Sequence, residues 1–196
     1  QKGLGGFLVR NMESYGILDT MGLTSRIVLD ANIYTMNNRA EAFWMKKGIL
    51  GDTVPLELNA KELVHRNNKN SELTVYGYTP MMVSVQCVQK TMDHCNHACV
   101  QYVLKDRYQK EFRGVCSCEF CYNTIYNTLP TSLLKEKEKA EKLGVKAYRL
   151  SFTIETQQET EKIVRAFVDV YLRGQKPDGQ MQTEETTKGH FQRGVE

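Results

Sequence analysis

The chain has 196 residues, 41% hydrophobic and 25% charged, so it is long enough to bury a core without the support of disulfide bonds. With 26 Lys and Arg against 23 Asp and Glu, its formal charge of +3 is too small to identify a nucleic-acid binder by composition alone. No apolar stretch reaches the roughly 18 residues of a membrane span, and residues 1–6 lack the basic start and apolar run of a secretory signal. We therefore expect a cytoplasmic protein with reduced thiols and no membrane partner.

Short runs of apolar and β-branched residues alternate along the chain with helix-like stretches, which is the pattern of βα units. The five predicted strands cover residues 7–9, 27–29, 53–56, 73–76 and 148–152. This pattern predicts an α/β fold with mainly parallel strands: a partial (β/α)8-like, TIM-type barrel made of about its last five βα units, with a Cys-rich insert. Since a full barrel has eight units, we expect the chain to be a fragment.

Four segments follow from this pattern. We predict βα units of the partial barrel over residues 1–86 and a Cys-rich, cluster-binding insert over 87–130, which projects from the carboxyl-end side of the strands. The last βα unit or units are predicted over 131–175, ending in a helix with an apolar stripe from Ile163 to Tyr171. Residues 176–196 are predicted to form a polar tail, extended or loosely held.

Most of the predicted strands end in polar residues. In parallel α/β architectures, ligands gather at the carboxyl ends of strands, so we select Arg10, Asn32, Glu57 and Arg149 as candidate substrate-binding residues on one concave surface. Arg149 lies inside its strand and faces that surface only if the side-chain alternation runs that way. The alternative for each position is that the polar side chain caps the next helix, as Asn59 would before residues 60–63.

The six cysteines of the chain all fall between positions 87 and 121: Cys87, Cys95, Cys99, Cys116, Cys118 and Cys121. This density indicates either a disulfide scaffold or a metal site, and the length of the chain together with the lack of a secretory signal favours metal. A C-x-x-C pair places two thiolates on one turn, and a second pair from the same segment completes a four-sulfur shell suited to zinc or to an iron–sulfur cluster.

The spacing of the cysteines does not choose between these two metals. His94 and His97 flank Cys95 and are candidate substitute ligands, although a histidine in a turn is more often a surface residue. A redox dithiol of the thioredoxin type is disfavoured, because the C-x-x-C motif of that type opens a helix directly after a strand.

Five strings of the sequence resemble peptidase family U32, also called the collagenase-like proteases, and they appear in that family's order. They are ELTVYGYTPMMVSVQC (72–87), VLKDRYQKEF (103–112), CEFCYNTIYNTLPTSLL (118–134), GVKAYRLSFTIET (144–156) and KGHFQRGVE (188–196). The resemblance covers essentially the whole chain. It implies the C-terminal part of a (β/α)8-like catalytic domain.

The resemblance also implies a cofactor and a partner. Several members of the family look like RNA-modifying proteins that hydroxylate pyrimidine C5 in transfer or ribosomal RNA, and others take part in oxygen-independent hydroxylation of quinone precursors. The hydroxylating members bind a [4Fe-4S] cluster through four cysteines, which match Cys87, Cys95, Cys118 and Cys121 here. Cys99 and Cys116 have no counterpart, and Cys116 could replace Cys118. RNA is the implied partner of the full-length protein, with a partner protein or a homo-oligomer as further possibilities.

Three functions are carried forward from the sequence. The residues present favour an iron–sulfur protein acting in C5-hydroxylation of a pyrimidine in rRNA or tRNA. The family's name suggests a peptidase, but neither a nucleophile with a neighbouring base nor a paired-His helix motif is visible, and His65 and His190 stand alone. The third hypothesis is a zinc-stabilised element of a binding domain. The sequence names no catalytic residue and leaves open whether the chain is an enzyme.

Overall fold

The computed structural model describes residues 3–93, 95–177 and 185–194. The strands of this part are β1 (Phe7–Val9), β2 (Ile27–Leu29), β3 (Gly51–Thr53), β4 (Ser71–Gly77), β5 (Pro80–Ser84), β6 (Gln101–Lys105), β7 (Glu111–Ser117), β8 (Tyr122–Tyr126), β9 (Thr131–Ser132) and β10 (Ala147–Ser151). Its α-helices are α1 (Met12–Thr20), α2 (Asn38–Lys46), α3 (Ala60–Leu63), α4 (Val88–Thr91), α5 (Lys137–Glu141) and α6 (Gln157–Phe167). Among the described residues, no helix combines the length and the apolar character needed to cross a membrane.

The described residues form two compact units. The first takes its residues from 1–75, 133–150 and 188–196, and the second from 76–132 and 151–187.

The first unit is built on a parallel sheet with the strand order β1-β2-β3-β4-β10, curled into half of a barrel. The mixed α/β class and the parallel arrangement predicted from the sequence are therefore confirmed. Strand β3 lies two residues earlier than predicted. Pro55 explains the shift, because proline has no N–H to donate to a ladder, and after Thr53 the pairing continues only through the N–H of Val54 to the carbonyl of Glu72.

One face of this sheet packs against the helices. Val9, Ile27 and Leu29 form a buried cluster with Tyr15 of α1 and Trp44 of α2, whose rings meet edge to face with centroids 4.8 Å apart. Each burial of such an apolar side chain stabilises the fold by about 1.5–3 kcal/mol. The helices that supply these residues begin at asparagine caps, Asn11 before α1 and Asn37 before α2.

A buried ion pair joins β3 to the turn after α3. The Asp52 carboxylate pairs with the Arg66 guanidinium, and the two side chains are 3% and 2% exposed. Arg66 also donates to Asn68 Oδ1 at 2.9 Å and to Ser71 Oγ at 2.9 Å, and its Nε donates to the carbonyl of Thr35 at 2.8 Å. Because the other polar groups around the pair are hydrogen-bonded as well, the cost of removing both charges from water is offset.

The second unit contains an antiparallel sheet with the order β5-β8-β7-β6. The segment predicted as the insert over 87–130 supplies three of its strands, β6, β7 and β8. The first strand of the sheet begins before the first cysteine, at Pro80. Helix α6 also belongs to this unit. It begins at a capping box formed by Thr156 and Glu159, and a π-helical turn over Val168–Leu172 extends it.

Residues near the end of the predicted tail form contacts within their own units. Thr187 forms a β-bridge with Thr131 in the second unit. Lys188 forms an ion pair with Glu136 in the first, where Phe191 is 7% exposed.

We expect Asp52→Ala to lower the free energy of unfolding by about 3–5 kcal/mol, because it leaves the Arg66 guanidinium buried without a counter-ion. Urea unfolding followed by tryptophan fluorescence measures this loss directly, since the one tryptophan of the chain, Trp44, lies in the core of the same unit. The matched control is Glu111→Ala, which breaks an exposed ion pair with Lys105 and should cost less than about 1 kcal/mol. Equal losses for the two variants would contradict the structural role of the buried pair.

Candidate metal centre

Five of the six cysteines come from segments that flank the hairpin of β6 and β7, and the sixth, Cys116, lies near the end of β7. Cys87 precedes α4 as its N-cap residue, and Cys95 and Cys99 lie between α4 and β6. Cys116 lies in β7, and a 3₁₀ turn over Cys118–Phe120 follows that strand and ends at Cys121. Because β7 runs antiparallel to β6, Cys116 lies beside the residues that precede β6. Its N–H donates to the carbonyl of Val100 at 2.9 Å.

Two close groups of ligand atoms result from this arrangement. The Sγ atoms of Cys87 and Cys116 are 3.9 Å apart. The Sγ atoms of Cys95 and Cys118 and an imidazole nitrogen of His97 all lie within 4.8 Å of one another. All six cysteines are free thiols. The Cys-His-Cys group has the donor types and the proximity needed to bind a metal ion.

The thiols influence one another's protonation. Burial raises the pKa of Cys118, and the neighbouring sulfurs of Cys95, Cys121, Cys99 and Cys87 raise it further. The pKa of Cys118 therefore depends on the charges of four other thiols. A bound cation reverses this effect, because it favours the thiolate form of every ligand around it.

Cys116 and Cys87 differ in their protonation although they are adjacent. Burial raises the pKa of Cys116 to about 11, and the neighbouring Cys87 and Cys118 contribute to the increase. For Cys87, a backbone hydrogen bond at Lys90, in the first turn of α4, lowers the pKa. In the metal-free protein, Cys87 is therefore the more readily ionised member of this pair.

The predicted ligand set was Cys87, Cys95, Cys118 and Cys121. Of these four, the structure brings Cys95 and Cys118 together and adds His97, which the sequence offered as a substitute ligand. It places Cys87 against Cys116 instead, and it places Cys121 Sγ 3.7 Å from the carbonyl oxygen of Cys118. The other substitute ligand, His94, lies outside the described residues.

The candidate substrate-binding residues lie in the first unit, where two of the four meet. Arg10 Nε lies 2.9 Å from Asp30 Oδ2, and Arg149 Nη1 donates to Asp30 Oδ1 at 2.8 Å. Arg149 Nη2 donates to Thr53 Oγ1 at 3.0 Å and pairs with the carboxylate of Glu72. The side-chain alternation in β10 therefore directs Arg149 toward the same face of the sheet as Thr53 and Glu72.

The two arginines have different exposure. Arg149 is 18% exposed and is held between two carboxylates, whereas the side chain of Arg10 is 61% exposed and uses only its Nε on Asp30 among the described residues. Arg10 is therefore the one that presents hydrogen-bond donors to solvent, and Arg149 holds Asp30 and Glu72 in place.

Asn32 and Glu57 form no hydrogen bond or ion pair with the two arginines within the described part of the chain. Asn32 is exposed in a 3₁₀ turn over Ala31–Ile33. The Oε2 atom of Glu57 is buried and has no hydrogen-bond partner among the described residues. The capping alternative holds for Asn59, which forms a capping box with Glu62 at the start of α3.

Sequence reasoning did not select Asp30, Thr53 and Glu72 as members of this polar group. Asp30 directly follows β2 and so carried the same strand-end signal as Arg10. Thr53 and Glu72 are register partners in β3 and β4, and their shared face follows from a pairing that one sequence does not reveal.

In reduced, metal-free protein, we expect alkylation to modify Cys87 early and Cys116 last. The thiolate is the reacting form, and a pKa of about 11 leaves roughly one Cys116 in a thousand ionised at pH 8. Cys116 should become reactive as the pH approaches that pKa. Peptide mapping by mass spectrometry after timed alkylation at several pH values measures both orders, and the urea-unfolded chain serves as the control because burial is lost there. Early modification of Cys116 near neutral pH would contradict the assignment.

Comparisons with known proteins return no match: no family model fits this chain, and no curated protein or solved structure is found to be similar to it. The function of the chain is therefore inferred from its residues and their geometry.

Proposed function

We propose that this chain is the cluster-binding part of an iron–sulfur protein that acts in C5-hydroxylation of a pyrimidine in rRNA or tRNA. The observation that carries the proposal is the gathering of ligand atoms around Cys118, whose Sγ lies within 4.8 Å of Cys95 Sγ and of a His97 nitrogen. Besides burial, the neighbouring Cys95, Cys121, Cys99 and Cys87 raise the pKa of this thiol. The resemblance of the sequence to peptidase family U32 supports it, and so does the parallel half-barrel sheet, which is compatible with a partial (β/α)8 barrel.

The donor set fits an iron–sulfur cluster, because such clusters are held by thiolates and four other thiols are within electrostatic reach of Cys118. In this proposal Cys87, Cys95, Cys118 and Cys121 hold a [4Fe-4S] cluster, which supplies electron transfer when bound. All four proposed ligands are more accessible than Cys116, which is buried: Cys95 and Cys121 are exposed, and Cys87 and Cys118 are half-buried. Cys116 thus remains protonated beside the centre. The exposed ligands account for a preference for a reducing, cytoplasmic compartment.

The polar group on the parallel sheet supplies the proposed contact with an anionic substrate. Arg10 has exposed guanidinium nitrogens, and RNA offers phosphate oxygens that arginine binds well. Arg149 acts as a positioning residue, since its guanidinium is occupied by Asp30 and Glu72. RNA is accordingly the proposed partner of the full-length protein, with a partner protein or a second copy of the chain as a further component.

The second candidate function, a zinc-stabilised binding domain, is supported by a separate observation. His97 lies within 4.8 Å of both Cys95 and Cys118, and a mixed nitrogen and sulfur shell suits zinc, which takes four ligands in structural sites. A fourth ligand from Cys87 or Cys121 would complete a zinc-stabilised binding domain.

Peptide hydrolysis is supported less well. A cysteine peptidase needs a thiol with a lowered pKa beside its base. Cys118 has a ligand atom within 4.8 Å of one on His97, and its pKa is raised.

We expect Cys118→Ser to abolish iron binding, because it removes the thiol on which the others converge, whereas Cys99→Ser should retain the iron. Iron and zinc content, measured by elemental analysis of anaerobically purified protein, distinguishes the two candidate metals. Stoichiometric zinc without iron in the unmodified protein would contradict the iron–sulfur cluster and support the zinc-stabilised binding domain.

The same pair of variants tests the reaction in the full-length protein. A strain that lacks the protein should lose a hydroxylated pyrimidine from its bulk RNA, as measured by mass spectrometry. The Cys99→Ser protein should restore this nucleoside and the Cys118→Ser protein should not. Restoration of the nucleoside by both variants would show that RNA hydroxylation does not require the cluster.

A further inference from the structure

One face of the antiparallel sheet in the second unit carries a groove with a volume of about 270 Å³. Six of the residues that line this groove are Met82, Met92, Tyr102, Leu104, Asn123 and Ile125. Two thioethers and two branched aliphatic side chains make its walls mainly apolar. Neither the metal centre nor the polar group of the first unit uses these residues.

The strand register explains how the groove forms. Met82 of β5 pairs with Ile125 of β8, Ile125 pairs with Gly114 of β7, and Gly114 pairs with Tyr102 of β6, so these four positions share one face. A Cβ atom at Gly114 would lie 2.3 Å from two carbon atoms of the Tyr102 ring. The absence of a side chain at Gly114 therefore gives the Tyr102 ring its place over the sheet.

Asn123 gives the groove an unsatisfied polar group. The residue is 1% exposed, and its Nδ2 donates to the carbonyl of Gln86 at 3.0 Å. Its Oδ1 is buried and has no hydrogen-bond partner among the described residues, and the same is true of the Tyr102 hydroxyl. Because a buried acceptor without a partner is destabilising, such atoms inside an apolar groove favour a ligand that donates a hydrogen bond.

The volume and the lining indicate the shape of that ligand. An apolar cavity of about 150 Å³ accommodates benzene, so this groove has room for one or two fused rings. Methionine sulfur makes favourable contacts with aromatic rings, and Met82 and Met92 both line the groove.

We propose that this groove binds a small, flat aromatic molecule whose N–H or O–H group donates to Asn123 Oδ1. Such a ligand lies beside the thiols, since Asn123 is the register partner of Cys116 and side chains of paired residues on one face are neighbours. The site consists of side chains of the sheet and of α4 and is independent of the metal and of the proposed function.

The test uses two probes that differ in a single donor, indole and N-methylindole. Each is titrated into reduced, chelator-treated protein and followed by ligand-observed NMR. Indole should bind saturably, and N-methylindole should bind about tenfold more weakly, because it cannot donate to the buried acceptor. Equal affinity for the two probes, or no saturable binding of indole, would overturn the proposal. Metal content has no part in this readout, so its outcome is separate from that of the iron–sulfur proposal.

Two variants on one strand locate the binding site. Met82→Trp fills the groove and should abolish indole binding. Val83→Trp places the same side chain on the next residue of β5, which faces the other way and is exposed, and it should leave binding unchanged. Met92→Trp blocks the groove from the helix side and replaces Met82→Trp if far-UV circular dichroism shows that the latter is unfolded. Unchanged indole binding in a folded groove-filling variant would place the ligand elsewhere and reject the site.

Discussion

The alternation of side chains across a β-strand is the constraint on which both sheets depend. Asp52 and Thr53 are neighbours in β3 and point to opposite faces. Asp52 enters the buried network with Arg66, while Thr53 joins Glu72 and Arg149 on the other face. A strand of three residues thus supports an ion pair that stabilises the fold and a polar group that lies near the strand ends. A shift of one residue in its register would exchange the two environments and disrupt both.

In the second unit, the same alternation places the apolar residues of the groove and the thiol of Cys116 on one face of the sheet, at different positions along the strands. Ile125 and Tyr102 line the groove, and one step along the same face the register pairs Asn123 with Cys116. Burial raises the pKa of Cys118, and the neighbouring thiols raise it further, because their ionised forms repel another negative charge. A cation relieves that repulsion.

The features that could be predicted from the sequence are those encoded within a few neighbouring residues. Apolar triplets such as Phe7–Val9 identify strands, and Asn59 with Glu62 identifies the start of a helix. The antiparallel sheet was not predicted, although residues 101–105 alternate in burial along β6, because the cysteines suggested an irregular metal-binding segment. The group around Arg149 depends on partners up to 119 positions away in the chain, and the Cys87–Cys116 contact depends on a register that a single sequence does not specify.

The placement of the cysteines before the β6–β7 hairpin and at its end links any metal binding by this segment to the order of folding. Cys87, Cys95 and Cys99 precede this hairpin, Cys116 lies near the end of its second strand, and Cys118 and Cys121 follow it. The two groups of cysteines therefore meet only after β6 and β7 have paired. A metal ion that reaches the chain earlier finds isolated thiols of one group and binds them weakly. Once the hairpin is closed, the same ion holds its two ends together and opposes its opening. A metal ion that arrives after β6 and β7 have paired would therefore meet both groups of thiols at once.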